Sequence, residues 1–284
     1  MCVSSKPSSH FWAAFKLQKW GVNVFDDMTL IVHKLSMKYP YINIYGIGDK
    51  HIGSKECDIK RLKKQVEMIL DDEYGYCVIC GDLINNGLKN SKTNTYQEVI
   101  QPAMQKELMY EIYKPLADNG KILAGVPGNH CERTMKEAGT NPMYDVFCRW
   151  NIPHLYRENI ALLKINLGSR KDGQRQISYA GLVTHGSSKN KHHKFVMGFD
   201  GIDFAISGHT HTPEYTPRGK IRIDLKNETA KKVGYKEIVV DSSLESGGYA
   251  IKNEYEISAP PETQILKLYG TRKRMDYLAL DNNE

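Results

Sequence analysis

Apolar residues recur along this chain in short β-prone runs set between longer stretches of helical spacing. Residues 41–47, 76–80, 122–126 and 204–207 are such runs, each closed by Gly or Pro and each too short for a helix. Residues 29–35 predict an earlier strand, and residues 160–167 and 177–184 alternate as an antiparallel pair would. Residues 58–73 carry Ile59, Leu62, Val66, Ile69 and Leu70 at helical spacing, and residues 96–118 and 141–151 are helical in pattern too. Segments 238–240, 263–269 and 275–280 make the C-terminal part mostly β. With neither internal repeat nor low-complexity linker, residues 29–284 read as one domain with a β-rich C-terminal part. Residues 1–28 read as an N-terminal extension, where Ser9 would cap a short helix carrying Phe11, Trp12 and Phe15, a patch expected to pack on the domain.

Five of the strands end in residues that can do chemistry. They are Gly48-Asp49-Lys50-His51, Gly81-Asp82, Gly128-Asn129-His130, Thr184-His185-Gly186 and Gly208-His209-Thr210-His211. In open α/β sheets ligands bind outside the carboxyl ends of the strands, which is where all five lie. Asp49-x-His51 and His209-x-His211 each place two donors at i and i+2, on one side of an extended segment. Asp82 can bridge two ions with its two oxygens, Asn129 offers an amide oxygen, and His185 an imidazole. Two Asp, one Asn and five His can hold two divalent cations and leave one group for proton work.

Composition narrows the class. Hydrophobic residues are 40% and charged residues 25% of the 284, values of an ordinary soluble globular protein. No apolar run approaches the roughly 20 residues of a membrane span, and residues 1–28 do not read as a signal peptide. The net charge of +6 and pI of about 8.8 favour an anionic substrate without marking a dedicated nucleic-acid surface. Cys77 and Cys80 have CxxC spacing, but i and i+3 of a strand face opposite ways, so core packing is the better reading. Reduced cysteines suit a cytosolic protein.

The five segments, in this order, resemble the calcineurin-like metallophosphoesterase family, whose pattern runs D-x-H, G-D, G-N-H-[ED], H, G-H-x-H; the resemblance covers roughly residues 41–215. It implies an α/β fold, a β-sandwich of two mixed sheets flanked by helices in four αββα layers. It also implies that Asp49, His51 and His211 hold one metal, Asn129, His185 and His209 the other, and that Asp82 bridges. His130 is then no ligand: it lies by the scissile phosphate, stabilising charge or protonating the leaving oxygen, while a metal-bound hydroxide attacks. Mn²⁺ is the ion the resemblance favours. The donors also accept Fe²⁺, Zn²⁺ or Ni²⁺, since no thiolate selects zinc.

One position departs from the pattern. Cys131 stands where the family usually has Glu or Asp, an acidic residue that orients its neighbours; such losses can cost about 10–100-fold in affinity or activity. Arg133, three residues after His130, has the fork geometry of a phosphate clamp. Lys189, Lys191, His192, His193 and Lys194 follow His185 and are either a solvated helix face or a contact to substrate phosphate. Gly247-Gly248-Tyr249 and Tyr255 are either a turn with core tyrosines or a stacking surface for a base. Arg272-Lys273-Arg274 is a strand edge or turn, or it tracks a polyanion backbone.

Around Asp49, Asp82, Asn129 and the tail, the chain also looks like metallophosphoesterases of phages and prophages labelled DNA-repair exonuclease-like. These features lead to an expected phosphodiesterase acting on nucleic acid or a nucleotide, in the cytoplasm (that of a bacterial host if phage-borne), with no membrane partner. A phosphomonoesterase on a nucleotide or phosphoprotein is the alternative, and a non-catalytic binding scaffold a third. Substrate and oligomeric state are left open by the sequence.

Overall fold

Two β-sheets pack against each other in the computed structural model, which describes residues 27–89, 91, 98–170, 175–245 and 262–281. The segment around Ser9, Phe11, Trp12 and Phe15 and the segment containing Gly247, Gly248, Tyr249 and Tyr255 lie outside these residues. The first sheet has six strands: β1 (Ile31–Lys34), β5 (Ile160–Leu167), β6 (Ile177–Thr184), β7 (Phe204–Ser207), β9 (Thr229–Val239) and β8 (Glu214–Asp224), in that spatial order. The second runs β11 (Met275–Asp281), β10 (Glu262–Tyr269), β2 (Tyr41–Ile47), β3 (Gly75–Ile79), β4 (Ile122–Gly125). Both sheets mix parallel and antiparallel pairs: β2, β3 and β4 are parallel, as are β6, β7 and β9, while β10 runs antiparallel to β2 and β5 to β6.

The inner faces share one core. Ile42, Ile44, Ile47, Val78 and Ile79 of the second sheet cluster with Leu163, Ile165, Val183, Phe204 and Ile206 of the first, all buried. Helices α1 (Ile59–Asp71), α2 (Pro102–Asp118) and, after the short α3 (Asn129–Ala138), α4 (Pro142–Arg149) flank the second sheet. Asp58 starts α1 by accepting a hydrogen bond from the Arg61 amide at 3.1 Å, and Leu62, Val66 and Ile69 point inward at the spacing read from the sequence. Helix α5 (Lys189–Met197) covers the other face, where Val196 meets Leu182, Ala205 and Tyr235. The expected αββα layering is therefore present.

The differences have local causes. The helix expected over 96–118 begins at Pro102, because proline fixes φ and suits the first helical position while disfavouring helix in the residue before it. Residues 98–100 are instead extended and irregular, and Glu98 forms a bridge with Ser54. The 141–151 helix stops at Arg149; Asn151 turns the chain with φ +61°. Most of the β8–β9 hairpin lies outside the expected strands; Ile221, Ile223 and Leu225 alternate with polar residues there, but all three are exposed, so the alternation marks no buried face. Cys77 and Cys80 are both in the core, and every described cysteine is a free thiol. No helix among the described residues is long and apolar enough to cross a membrane.

Phe147 on α4 is fully buried, its ring centroid 5.4 Å from that of Trp150 and 5.7 Å from that of Tyr156. Replacing Phe147→Ala should lower the unfolding free energy by about 3–5 kcal/mol, read from urea denaturation; a loss below about 1 kcal/mol would refute this packing role.

Candidate metal centre

The five chemical segments follow β2, β3, β4, β6 and β7 directly, three from one sheet and two from the other. They are sewn together by the backbone. Asp49 N donates to Gly81 O at 3.0 Å, and Lys50 N and His51 N donate to Asp82 O at 2.9 and 3.0 Å. Each carboxylate has one oxygen pinned by an amide of another segment: Asp82 Oδ1 accepts from His130 N at 2.9 Å, and Asp49 Oδ2 from His209 N at 2.7 Å. Two glycines allow this closeness. A Cβ on Gly128 would lie 2.0 Å from Asp82 Oδ1, and one on Gly208 would lie 2.3 Å from Asp49 Oδ2.

Asp49, His51, Asp82, His209 and His211 all have left-handed backbone, with φ of 51, 47, 50, 75 and 57°. Non-glycine residues reach that region at a cost of about 1–2 kcal/mol each. Five together are a strained cluster of the kind that gathers at functional sites. The D-x-H and H-x-H pairs were expected on extended backbone. They share a side through these left-handed turns instead, and Lys50 between them goes the other way, fully buried, with Nζ 3.4 Å from Asp241 O.

Two groups of donors converge. Asp49, His51 and His211 offer atoms within 4.8 Å of one another, His51 Nε2 lying 3.1 Å from His211 Nε2. In the second group, His185 Nε2 and His209 Nδ1 are 3.1 Å apart, and each is close to Asn129 Oδ1, at 3.0 and 3.1 Å. Asp82 joins them: it shares one 4.8 Å cluster with Asp49 and His185 and another with His51 and His130. Its Oδ2 is 3.1 Å from His185 Nε2 and 3.9 Å from His130 Nε2.

The donor chemistry fits divalent cations. Asp49 Oδ1 is buried and, among the described residues, meets the usual hydrogen-bond geometry with none, His211 Nε2 lying 3.5 Å away. His185 Nδ1 is committed to Cys80 O at 2.8 Å and His51 Nδ1 to Asn85 Oδ1 at 3.3 Å, which leaves both Nε2 lone pairs facing inward. The electrostatics agree. Burial would raise the Asp82 carboxyl, but the neighbouring His185 and His130 hold it well below the usual carboxylate range. Burial would lower His185, but Asp82 and Asp49 push it up to about 9. Burial, with His130 and His211 nearby, pulls His51 down to about 3. Burial and neighbouring imidazoles drive protons off these rings while the carboxylates hold them on, and a cation competes for the same lone pairs.

The remaining expected residues fall as follows. His130 Nδ1 donates to Asn85 O at 2.6 Å, so Nε2 is the nitrogen turned to the site. Burial lowers its basicity; Asp82 opposes this and Arg133 reinforces it. Arg133, the expected clamp, stands beside His130: Nη2 lies 2.9 Å from His130 Nε2 and Nη1 donates to Asn85 O at 2.9 Å. Cys131 is buried in the core, where desolvation raises its thiol to about 12. Lys189 pairs with Glu214 at 2.6 Å, His193 with Glu237 at 2.9 Å, and His192 is buried. Arg272-Lys273-Arg274 links β10 to β11 at the far end of the sandwich, Lys273 pairing with Asp203 and Arg274 with Asp276.

Other participants gave no sequence signal. Asn85, Asn86, Glu98 and Gln105 form a hydrogen-bonded cluster behind His51 and His130. Ser242, just past β9, donates through Oγ to Asp49 O at 2.9 Å. A cleft of about 420 Å³ opens beside the second group, lined by Asn129, His185 and His209 with Glu132, Lys136 and Glu158.

The pattern and geometry meet in a family match: the chain belongs to the calcineurin-like phosphoesterase family, whose model matches residues 42–213. It is thus a metal-dependent hydrolase of phosphoesters. No curated protein matches it. Among solved structures it is similar to a predicted phosphoesterase from Streptococcus pneumoniae TIGR4, at 10% identity over 84% of this chain and 90% of that one, TM-score 0.38. Vps29 from Entamoeba histolytica, solved with Zn²⁺, aligns at 11% identity over 85% of this chain and 100% of that one, TM-score 0.37. GAP50 of Plasmodium, titled the anchor in the inner membrane complex, aligns at 13% over 87% and 86%, TM-score 0.46.

Mn²⁺ at about 100 times its Kd should stabilise the fold by about 2.7 kcal/mol, seen as a rise in Tm. Gly128→Ala puts a methyl on the Asp82 carboxylate and should abolish that rise while leaving the far-ultraviolet circular dichroism intact. An unchanged rise would disprove the close-approach argument.

Proposed function

We propose that the chain is a two-metal phosphodiesterase acting on a nucleotide or on the end of a nucleic-acid strand. Asp49, His51 and His211 would hold one divalent cation and Asn129, His185 and His209 the other, with Asp82 facing both. Mn²⁺ is preferred, and the oxygen and imidazole donors also accept Fe²⁺, Zn²⁺ or Ni²⁺. Bound there, the cations would polarise the phosphoryl oxygens and acidify a water for in-line attack. His130, anchored through Nδ1 on Asn85 O, aims Nε2 at the site and would stabilise charge or deliver a proton to the leaving oxygen. Arg133 stands at that nitrogen and would set when it is free to act.

A diester is preferred on one observation: three of the basic groups expected to meet phosphate have partners of their own. Arg133 bonds to His130 and Asn85 O, Lys189 to Glu214, and His193 to Glu237. A dianionic monoester calls for a guanidinium or ammonium grip, whereas a singly charged diester asks less of the protein. Glu132 and Glu158 beside Lys136 give the adjoining cleft mixed charge, which suits a short terminal segment better than the middle of a duplex. The binding-scaffold alternative is disfavoured by the full set of donors.

Pure protein with Mn²⁺ should cleave single-stranded DNA, a cyclic nucleotide or a chromogenic diester, and a monoester poorly. Asp82→Asn should remove activity, and His130→Ala should reduce it by about 10²–10⁴-fold. Cleavage of the monoester alone would sink the diester reading, and full activity in both variants would refute the site.

A further inference from the structure

Cys131 leaves the site without the acidic residue expected after His130, yet a carboxylate arrives from elsewhere. Glu98 lies ahead of α2, its backbone bridged to Ser54 just beyond His51, with Val99 N donating to Gly53 O at 2.9 Å. Its Oε1 accepts from Asn85 Nδ2 at 2.6 Å, and its Oε2 from Gln105 Nε2. Gln105 is fully buried and braces the same loop through Oε1, which accepts from Asn86 N at 2.7 Å.

The direction of these bonds carries information. An ionised carboxylate only accepts hydrogen bonds. Asn85 must therefore turn its NH₂ to Glu98, which leaves Oδ1 facing His51 Nδ1 at 3.3 Å. An amide oxygen also only accepts, so the His51 proton is placed on Nδ1. Nε2 then carries no proton, and its lone pair faces His211 Nε2 at 3.1 Å within the cluster that includes Asp49. The same Asn85 offers its main-chain oxygen to His130 Nδ1 at 2.6 Å, so both rings are oriented from one residue.

We propose that Glu98 is a positioning residue: by fixing the flip of the Asn85 amide, it holds His51 in the Nδ1–H tautomer and presents Nε2 to a cation. It supplies, from a distant part of the chain, the acidic support that Cys131 does not. The functional consequence rests on His51 being a metal ligand.

A neutral amide at position 98 can present either its oxygen or its NH₂, so Glu98→Gln removes the directional instruction at nearly constant shape. In metal-free protein labelled with ¹⁵N-histidine, long-range ¹H–¹⁵N correlation should show His51 wholly as Nδ1–H, with the resonance assigned by its loss in His51→Gln. Glu98→Gln should show a tautomer mixture, and Mn²⁺ affinity by calorimetry should fall about 10–100-fold. In an Asn85→Ala background the same substitution should have no further effect on affinity, because the relay is already cut. Glu98→Gln with an unchanged tautomer, or an equal loss of affinity with and without Asn85, overturns the proposal. Thermal unfolding of each variant separates a folding defect from a positioning one. Wild-type protein that takes up no Mn²⁺ would fail the metal-site reading, and the tautomer measurement, made without metal, still decides the role of Glu98.

Discussion

The site depends on two carboxylates, each clamped by the main chain of another strand end. Asp49 Oδ2 is held by the His209 amide and Asp82 Oδ1 by the His130 amide, while Asp82 O takes the amides of Lys50 and His51. These bonds decide which oxygens are spent on structure and which remain for chemistry. Charge-assisted bonds from amide to carboxylate are short and directional, so fixing one oxygen fixes the other. The close glycines and the left-handed residues follow from the same requirement, since an ordinary strand end would hold these groups further apart.

A second layer holds the first. Cys80 O orients His185, Asn85 orients His51 and His130, and Ser242 supports the carbonyl of Asp49. Beneath it, Lys50 is buried near Asp241, which pairs with Arg61, and burial lowers the Lys50 ammonium to about 8. Metal sites commonly depend on such outer partners nearly as much as on the ligands themselves.

The sequence revealed the part of this that is written in short patterns. Short apolar runs closed by Gly or Pro gave β2, β3, β4 and β7, and alternation gave the β5–β6 pair. The donor groups were legible because each comes as a dipeptide or tripeptide at a strand end. The supporting layer was not. Asn85 and Glu98 look like any loop residues, and their meaning comes from a contact between segments. Spacing shows that Arg133 can reach the surroundings of His130 but not which acceptors meet it there. In the outer β8–β9 hairpin the alternating Ile221, Ile223 and Leu225 face solvent, so the pattern there is not tied to a core.

Asp49, His51, Asp82 and Asn129 ride on one sheet, and His185, His209 and His211 on the other. The spacing between donor groups is therefore also the spacing between sheets, and it is set by core side chains such as Ile47, Val78, Val183 and Ile206. Productive constellations tolerate errors of about 0.5 Å, less than one methylene in the core can impose. The tolerance of the core to substitution is thus set by the geometry at its rim: a swap that the fold absorbs with little loss of stability can still spread the two halves of the site beyond use.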